Sequence, residues 1–352
     1  MDFEVAPEIT EALTERARHG VFGYTLIPDS CYDAIIDWEA RRHGWRIERE
    51  WIHFAPGAVP AAHMAVQAFC QPGDRVIIQR PVYYPFFRTV LDNGAQIANN
   101  PLVLRNGRYE IDFEGFERQA RDPRTTLFIL CSPHNPVGRV WSREDLERLG
   151  DICARNGVRV FADELHCDIL MSGCKHHPFG NVDAVCRDNS MTVIAPSKTF
   201  NLAGLQATVV ITPNPRMRLL YENVLARNSI PRPNLFAITG LEAAYKHGER
   251  WLDELLVYIE GNYDFLVNYL KERLPQVRVM PLEGTFLAWM DFNALEPDPY
   301  LLQKRMLTEA NVWLDEGWVF GPEGNGFERL VLACPRSILK EALDRIVRAF
   351  GR

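Results

Sequence analysis

The chain has 352 residues, 47% hydrophobic and 24% charged, an ordinary composition for a globular protein. That length exceeds what one hydrophobic core usually supports, so two domains are expected. With 39 basic against 46 acidic side chains the net charge is −7, which gives no reason to expect nucleic acid or an anionic membrane as partner.

Met1-Asp2-Phe3-Glu4 lacks the basic segment and apolar core of a signal peptide, and no stretch reaches the ~18 uninterrupted apolar residues of a membrane span. The 8 cysteines are spread singly, without a Cys-x-x-Cys pair or zinc spacing. Cys70, Cys131, Cys153 and Cys334 sit among apolar neighbours and read as reduced core residues. A cytoplasmic location and no metal are the expectations.

In chain order, Asp29-Ser30 can cap a helix that runs toward His43 and stops at Gly44. Arg41-Arg42, inside it, read as a solvated face. Arg75 to Ile78 follows a Pro-Gly-Asp turn and reads as a strand. Further strands are expected at Thr126 to Cys131, Val158 to Ala162 and Met191 to Ala195, each apolar on both faces as in a covered parallel sheet. A helix is expected over Ser142 to Asn156, where Ser142 and Asp145 suit a capping box. This alternation predicts an open α/β sheet. From about Trp251 the character changes: a long amphipathic helix to Leu274, strands at Gln276 to Met280, Thr285 to Asp291 and Arg329 to Ala333, and a final helix, Ser337 to Phe350. That pattern predicts a smaller α+β domain.

Polar clusters stand directly after three of the apolar strands: Ser132 to Gly138, Asp163-Glu164-Leu165-His166, and Ser197-Lys198-Thr199-Phe200. Open α/β sheets bind ligands outside the carboxyl ends of their strands, so positions 135, 163 and 198 are expected in one pocket. A lysine there can form a Schiff base, an aspartate can keep a pyridine nitrogen protonated, and an asparagine can orient the ring hydroxyl. Taken singly, an aspartate after a strand is more often a helix cap, a lysine more often solvated surface, and Asn135-Pro136 an ordinary turn. Their shared edge is what singles them out.

Ser132 to Gly138, Ala162 to His166 and Ala195 to Leu205 resemble the signature blocks of the pyridoxal-phosphate-dependent class I/II aminotransferase-like enzymes of fold type I. Ser-Pro-His-Asn-Pro-Val-Gly-Arg-Val-Trp (132–141), Asp-Glu-Leu-His (163–166), Ser-Lys-Thr-Phe-Asn (197–201) and Ala-Cys-Pro-Arg-Ser (333–337) are similar to the bacterial cystathionine β-lyase subgroup. The resemblance covers nearly the whole chain. It implies an α/β fold with a large, mostly parallel seven-stranded sheet between helices, over residues 25–248, and a small α+β domain over 249–352. Residues 1–24 would be a shortened N-terminal segment, because family members carry a further stretch ahead of Met1-Asp2-Phe3. Weaker substrate closure and a less stable dimer would follow from a real shortening.

The resemblance also implies residue roles. Lys198 would hold pyridoxal 5′-phosphate and then shuttle protons; Asp163 would pair with the pyridine nitrogen; Asn135 and His166 would lie near the phenolic oxygen. Tyr83, rather than Tyr84, would stack on the ring and join Lys198 in catalysis, with a packed core tyrosine as the blander alternative. Gly57-Ala58-Val59 at a helix start, with Ser197, would take the phosphate. Tyr24 would reach the phosphate of a neighbouring subunit in a homodimer. Arg329, with Asn135, would bind the substrate α-carboxylate, with Arg336 as the competing candidate and a surface ion pair as the plain reading of both.

Aminotransferases of this class usually carry a phosphate-binding arginine eight positions after the lysine; that position is Gln206. The departure favours β-elimination, with L-cystathionine or related cysteine S-conjugates giving thiol, pyruvate and ammonia. An aminotransferase using a 2-keto acid, and a regulatory interaction protein retaining the fold, are the rival expectations.

Overall fold

The computed structural model describes residues 1–230 and 232–351. Nine strands precede the change of character seen in the sequence: β1 (Ile52–Ala55), β2 (Arg75–Ile78), β3 (Gln96–Asn99), β4 (Val103–Arg105), β5 (Arg108–Glu110), β6 (Thr125–Cys131), β7 (Arg159–Asp163), β8 (Ser190–Ile194) and β9 (Thr208–Ile211). Seven of them form one sheet in the order β1-β9-β8-β7-β6-β2-β3. β9 alone runs against its neighbours; the other pairings are parallel. The mostly parallel α/β sheet expected from the sequence is therefore present.

Alternation explains why these strands are apolar throughout. Val76 and Ile78, Leu127 and Ile129, and Phe161 join one core cluster, whereas Ile77, Phe128 and Leu130, and Val160 and Ala162 join the cluster on the opposite face. Successive side chains point to opposite faces, and helices cover both. Toward β8 and β9 the second face continues through Ile194, Val209 and Ile211 into a cluster around Trp38, Phe200 and Tyr245.

The helices begin and end for local reasons. Ser142 Oγ accepts a hydrogen bond from Asp145 N, and the Asp145 carboxylate accepts one from Ser142 N, closing the expected box ahead of the helix Arg143–Arg155. The helix Asp29–His43 stops where Gly44 turns left-handed at φ 66°. Its start differs from expectation: Pro28 occupies the cap position and Asp29 is already helical, making no side-chain cap. β4 and β5 form a separate hairpin around Asn106-Gly107, both at positive φ, the pair that suits a tight two-residue turn.

The last third forms a second sheet, order β10-β11-β13-β12, from β10 (Arg278–Val279), β11 (Leu287–Asp291), β12 (Asp315–Glu316) and β13 (Phe327–Val331). All of its pairings are antiparallel. The helices Glu249–Arg273 and Arg336–Phe350 pack together against it around Leu266, Met290, Leu330 and Leu343. The first two of its strands are shorter than expected. Thr285 sits at φ 75°, which extended backbone cannot accommodate, so pairing starts only at Leu287. The chain start returns to this region: Asp2 N donates to Ala333 O at 2.9 Å, while Met1 and Phe3 pack on the same cluster.

Candidate active site

Six strand ends of the large sheet meet at one edge. The carboxyl ends of β1, β2, β6, β7 and β8 lead to Gly57, Tyr83, Asn135, Asp163 and Lys198, and β9, being antiparallel, brings its start with Gln206, Ala207 and Thr208 to that edge. These residues line a cavity of about 480 Å³. Ala58, Val59, Ser197 and His166 border it as well, Leu287 and Arg329 reach it from the second sheet, and Phe286 from just ahead of β11.

Burial sets the electrostatics. The Asp163 carboxyl, accepting from Leu165 N at 3.2 Å, is pushed up by burial to about 6, against the lowering pull of that N–H and of Lys198. Burial lowers the Lys198 amine below its ordinary value while Asp163 opposes the shift. A lysine so placed is more readily deprotonated and nucleophilic than one at the surface. His166, driven down to about 3 by burial and by the cations Lys198 and Arg329, is neutral. Tyr83 is lifted to about 12 by burial, with Asp163 adding, and stays a phenol; its ring meets Phe86 edge-on at 5.6 Å.

Arg329, on β13, is steered from three sides. Its Nη1 donates to Asn135 Oδ1 at 2.8 Å, its Nε donates to Asp315 Oδ2 at 3.1 Å, and Nη2 reaches the same Asp315 oxygen. The guanidinium also lies over the Phe320 ring, 4.7 Å from its centroid. Asp315 is directly opposite Arg329 in the β12–β13 register, which is why they pair. Asn135 thus ties the two sheets together at the cavity.

Two expected site residues lie elsewhere. Arg336 does not line the cavity. It opens the final helix, its Nε donates to Asn262 Oδ1 at 2.9 Å, and its guanidinium rests over Tyr258 and Phe265. Tyr24 is fully exposed, outside the cavity of its own chain, beside the exposed Val21, Phe22 and Leu26. Tyr84 does line the cavity, with its ring edge-on to Phe320 at 5.7 Å. Asp315 and Phe286 were not anticipated. Phe286 holds the His166 ring at 5.4 Å, and no motif announces either residue.

The donor set suits a flat, cationic, phosphorylated aldehyde. Asp163 could offer its carboxylate to a ring nitrogen, and a cation there would draw it back to its ordinary range. His166 Nδ1 is buried without a hydrogen-bond partner, and an acceptor or donor on a bound ring would satisfy it. The helix Ala58–Phe69 begins at the cavity, so Ala58 and Val59 present first-turn amides. A Cβ at Gly57 would come within 3.3 Å of Pro60, a close fit that only glycine meets without adjustment.

The family model for class I and II aminotransferases matches residues 1–346. Cystathionine beta-lyase PatB of Bacillus subtilis is 47% identical over 351 residues, with 100% of this chain and 91% of that protein covered. Protein MalY of Escherichia coli is 32% identical, covering 99% of this chain and 89% of its own. Cystalysin from Treponema denticola, solved with pyridoxal 5′-phosphate, superimposes with TM-score 0.98 at 35% identity, covering 100% of this chain and 89% of that one. Sequence, cavity and fold agree: the chain belongs to the class I and II aminotransferase family.

Proposed function

We propose that the protein is a pyridoxal-phosphate-dependent carbon–sulfur β-lyase that cleaves L-cystathionine or related cysteine S-conjugates to thiol, pyruvate and ammonia. One observation carries the reading. Lys198, Asp163, Asn135 and Arg329 converge on one cavity in a chain 47% identical, from end to end, to a cystathionine β-lyase.

Pyridoxal phosphate, when bound, supplies the electron sink. Lys198 would hold the cofactor aldehyde through its amine, and the same Nζ would take the substrate α-proton. Asp163 would keep the ring nitrogen protonated, and Tyr83, which lines the cavity, would stack on the ring. Asn135 and His166 serve the phenolic oxygen, while Gly57, Ala58, Val59 and Ser197 take the phosphate. Gln206 puts a neutral amide where the family resemblance implies a phosphate-binding arginine in aminotransferases, which favours elimination. Arg329 grips the substrate α-carboxylate as a fork, with Asn135 and Asp315 holding its orientation.

Residues 25–248 form the cofactor-binding domain in this reading and 249–352 the small domain that supplies Arg329. The exposed Tyr24, among exposed apolar neighbours, fits a homodimer in which it reaches the partner subunit's phosphate site. All eight cysteines are free, which suits a reducing cytoplasm. No helix of the described residues is long and apolar enough to cross a membrane.

Purified protein incubated with L-cystathionine tests the assignment. Free thiol and pyruvate appearing in equal amounts, without an added keto acid, is the expected result. Turnover that requires a 2-keto acid and releases no thiol would make the protein an aminotransferase instead. A chain that binds cofactor but turns over neither substrate pair would be a binding module.

A further inference from the structure

A second set of buried ionisable groups lies behind the lysine, outside the cavity. Asp168, His43, Glu39, Glu164 and His176 are all almost wholly buried. Asp168 is the hub. Its Oδ1 accepts from Trp38 Nε1 at 3.1 Å and faces His43 Nε2 at 2.8 Å, while its Oδ2 accepts from Thr199 Oγ1 at 2.7 Å. Burial alone would drive His43 down, but Glu39 and Asp168 overcome it and lift the imidazole to about 9. His43 Nε2 is thereby held against the Asp168 carboxyl. His43, Cys167 and Asp168 bring ligand-type atoms within 4.8 Å of one another, yet the Asp168 oxygens are already engaged by protein donors.

Thr199 follows Lys198 directly and is wholly buried. The turn that carries them, Pro196–Thr199, has four residues and closes through Phe200 N to Pro196 O at 2.8 Å. So short a helix does not hold its own shape. Asp168 comes from the loop that follows Asp163 and carries His166, itself closed by Cys167 N to Glu164 O and Ile169 N to His166 O. The Thr199–Asp168 bond therefore joins the segment bearing the ring-facing acid to the segment bearing the amine.

We propose that Asp168 is a positioning residue for Lys198: clamped by His43 and Trp38, it anchors Thr199 and so fixes the lysine amine relative to Asp163. This rests on the reading of Lys198 as the cofactor lysine. The carboxylate does not line the cavity and acts only through Thr199. Loss of the anchor lets the turn drift, and small misplacements of a reacting group cost rate rather than substrate affinity.

The test uses Thr199→Val, which keeps the shape and removes the donor, and Thr199→Ser, which restores it, with Lys198→Ala as control. Three readouts are taken: kcat and KM for L-cystathionine per bound cofactor, the pH midpoint of the cofactor's visible absorption, and, in ligand-free protein, the rate of acetylation at Lys198 followed by mass spectrometry. Thr199→Val should lower kcat by about tenfold, leave KM unchanged, shift the absorption midpoint and change the labelling rate. Thr199→Ser should return all of these toward the parent. A Thr199→Val protein matching the parent in kcat, midpoint and labelling overturns the proposal, as does an equal loss in Thr199→Ser. If Thr199→Val does not fold, Thr199→Ala carries the same expectations and the same power to refute. A Lys198→Ala protein that still acquires the visible band would instead remove the underlying reading of Lys198.

Discussion

The two sheets contribute to the cavity in different ways. The seven-stranded sheet delivers its groups at strand ends, where topology alone gathers Asn135, Asp163 and Lys198. The four-stranded sheet delivers Arg329 from within a strand, and the cross-strand partner Asp315 and the distant Asn135 then fix its direction. In the proposed function, chemistry of the bound ring would accordingly belong to the first sheet and selection of the substrate carboxylate to the second.

Lys198→Ala breaks the first half of that division. Thiol release from L-cystathionine should fall by at least about 10³-fold, the upper range for losing a positioned proton-transfer group, and an assay of free thiol measures it. Arg329→Ala tests the other half. Its kcat/KM should drop about 10²-fold, expressed chiefly in KM, because a charge-assisted fork to the carboxylate is lost. A loss confined to kcat would put Arg329 in the chemistry and erase the distinction.

A third prediction concerns pH. In the ligand-free protein the Asp163 carboxyl stands at about 6, above its ordinary 3.8. A raised folded-state value stabilises the fold fully below about pH 4 and loses that contribution as pH rises through about 6. Asp163→Asn should therefore be more stable than the parent at pH 8, by on the order of 1–3 kcal/mol, and equal to it near pH 4. Thermal unfolding across that range reads the convergence, and a constant gap would contradict it. The smallest effect is expected from Arg336→Ala. The lyase constants should stay at parental values while stability falls by about 1 kcal/mol, from lost contact with Asn262, Tyr258 and Phe265.

The sequence carried the first sheet better than the second. Strands apolar on both faces, each followed by a polar cluster, are enough to bring 135, 163 and 198 together, because every parallel strand ends at the same edge. Gln206 shares that edge for a reason its local sequence hides: β9 runs the opposite way, so its beginning lies where its neighbours end. Arg329 and Arg336, both near the Ala-Cys-Pro-Arg-Ser block, look alike as letters. Only the register of β13 against β12, and the start of the final helix at Arg336, send one to the cavity and the other to Asn262. The left-handed Thr285, which delays β11, follows no composition rule for that residue type. The β4–β5 hairpin was not expected from the sequence, although an Asn-Gly pair between short β-rich runs is a strong turn signal. The Asp168 network lay beyond reach, because its members come from a helix, a loop and a turn far apart in the chain.

The central claim is that Lys198 is the residue to which pyridoxal phosphate is joined. Borohydride reduction of the cofactor-loaded protein, followed by proteolysis and mass spectrometry, tests it directly. The account predicts a pyridoxyl-phosphate adduct on the peptide containing Ser197-Lys198-Thr199, absent from Lys198→Ala; an adduct on another lysine, with Lys198 unmodified, would contradict it.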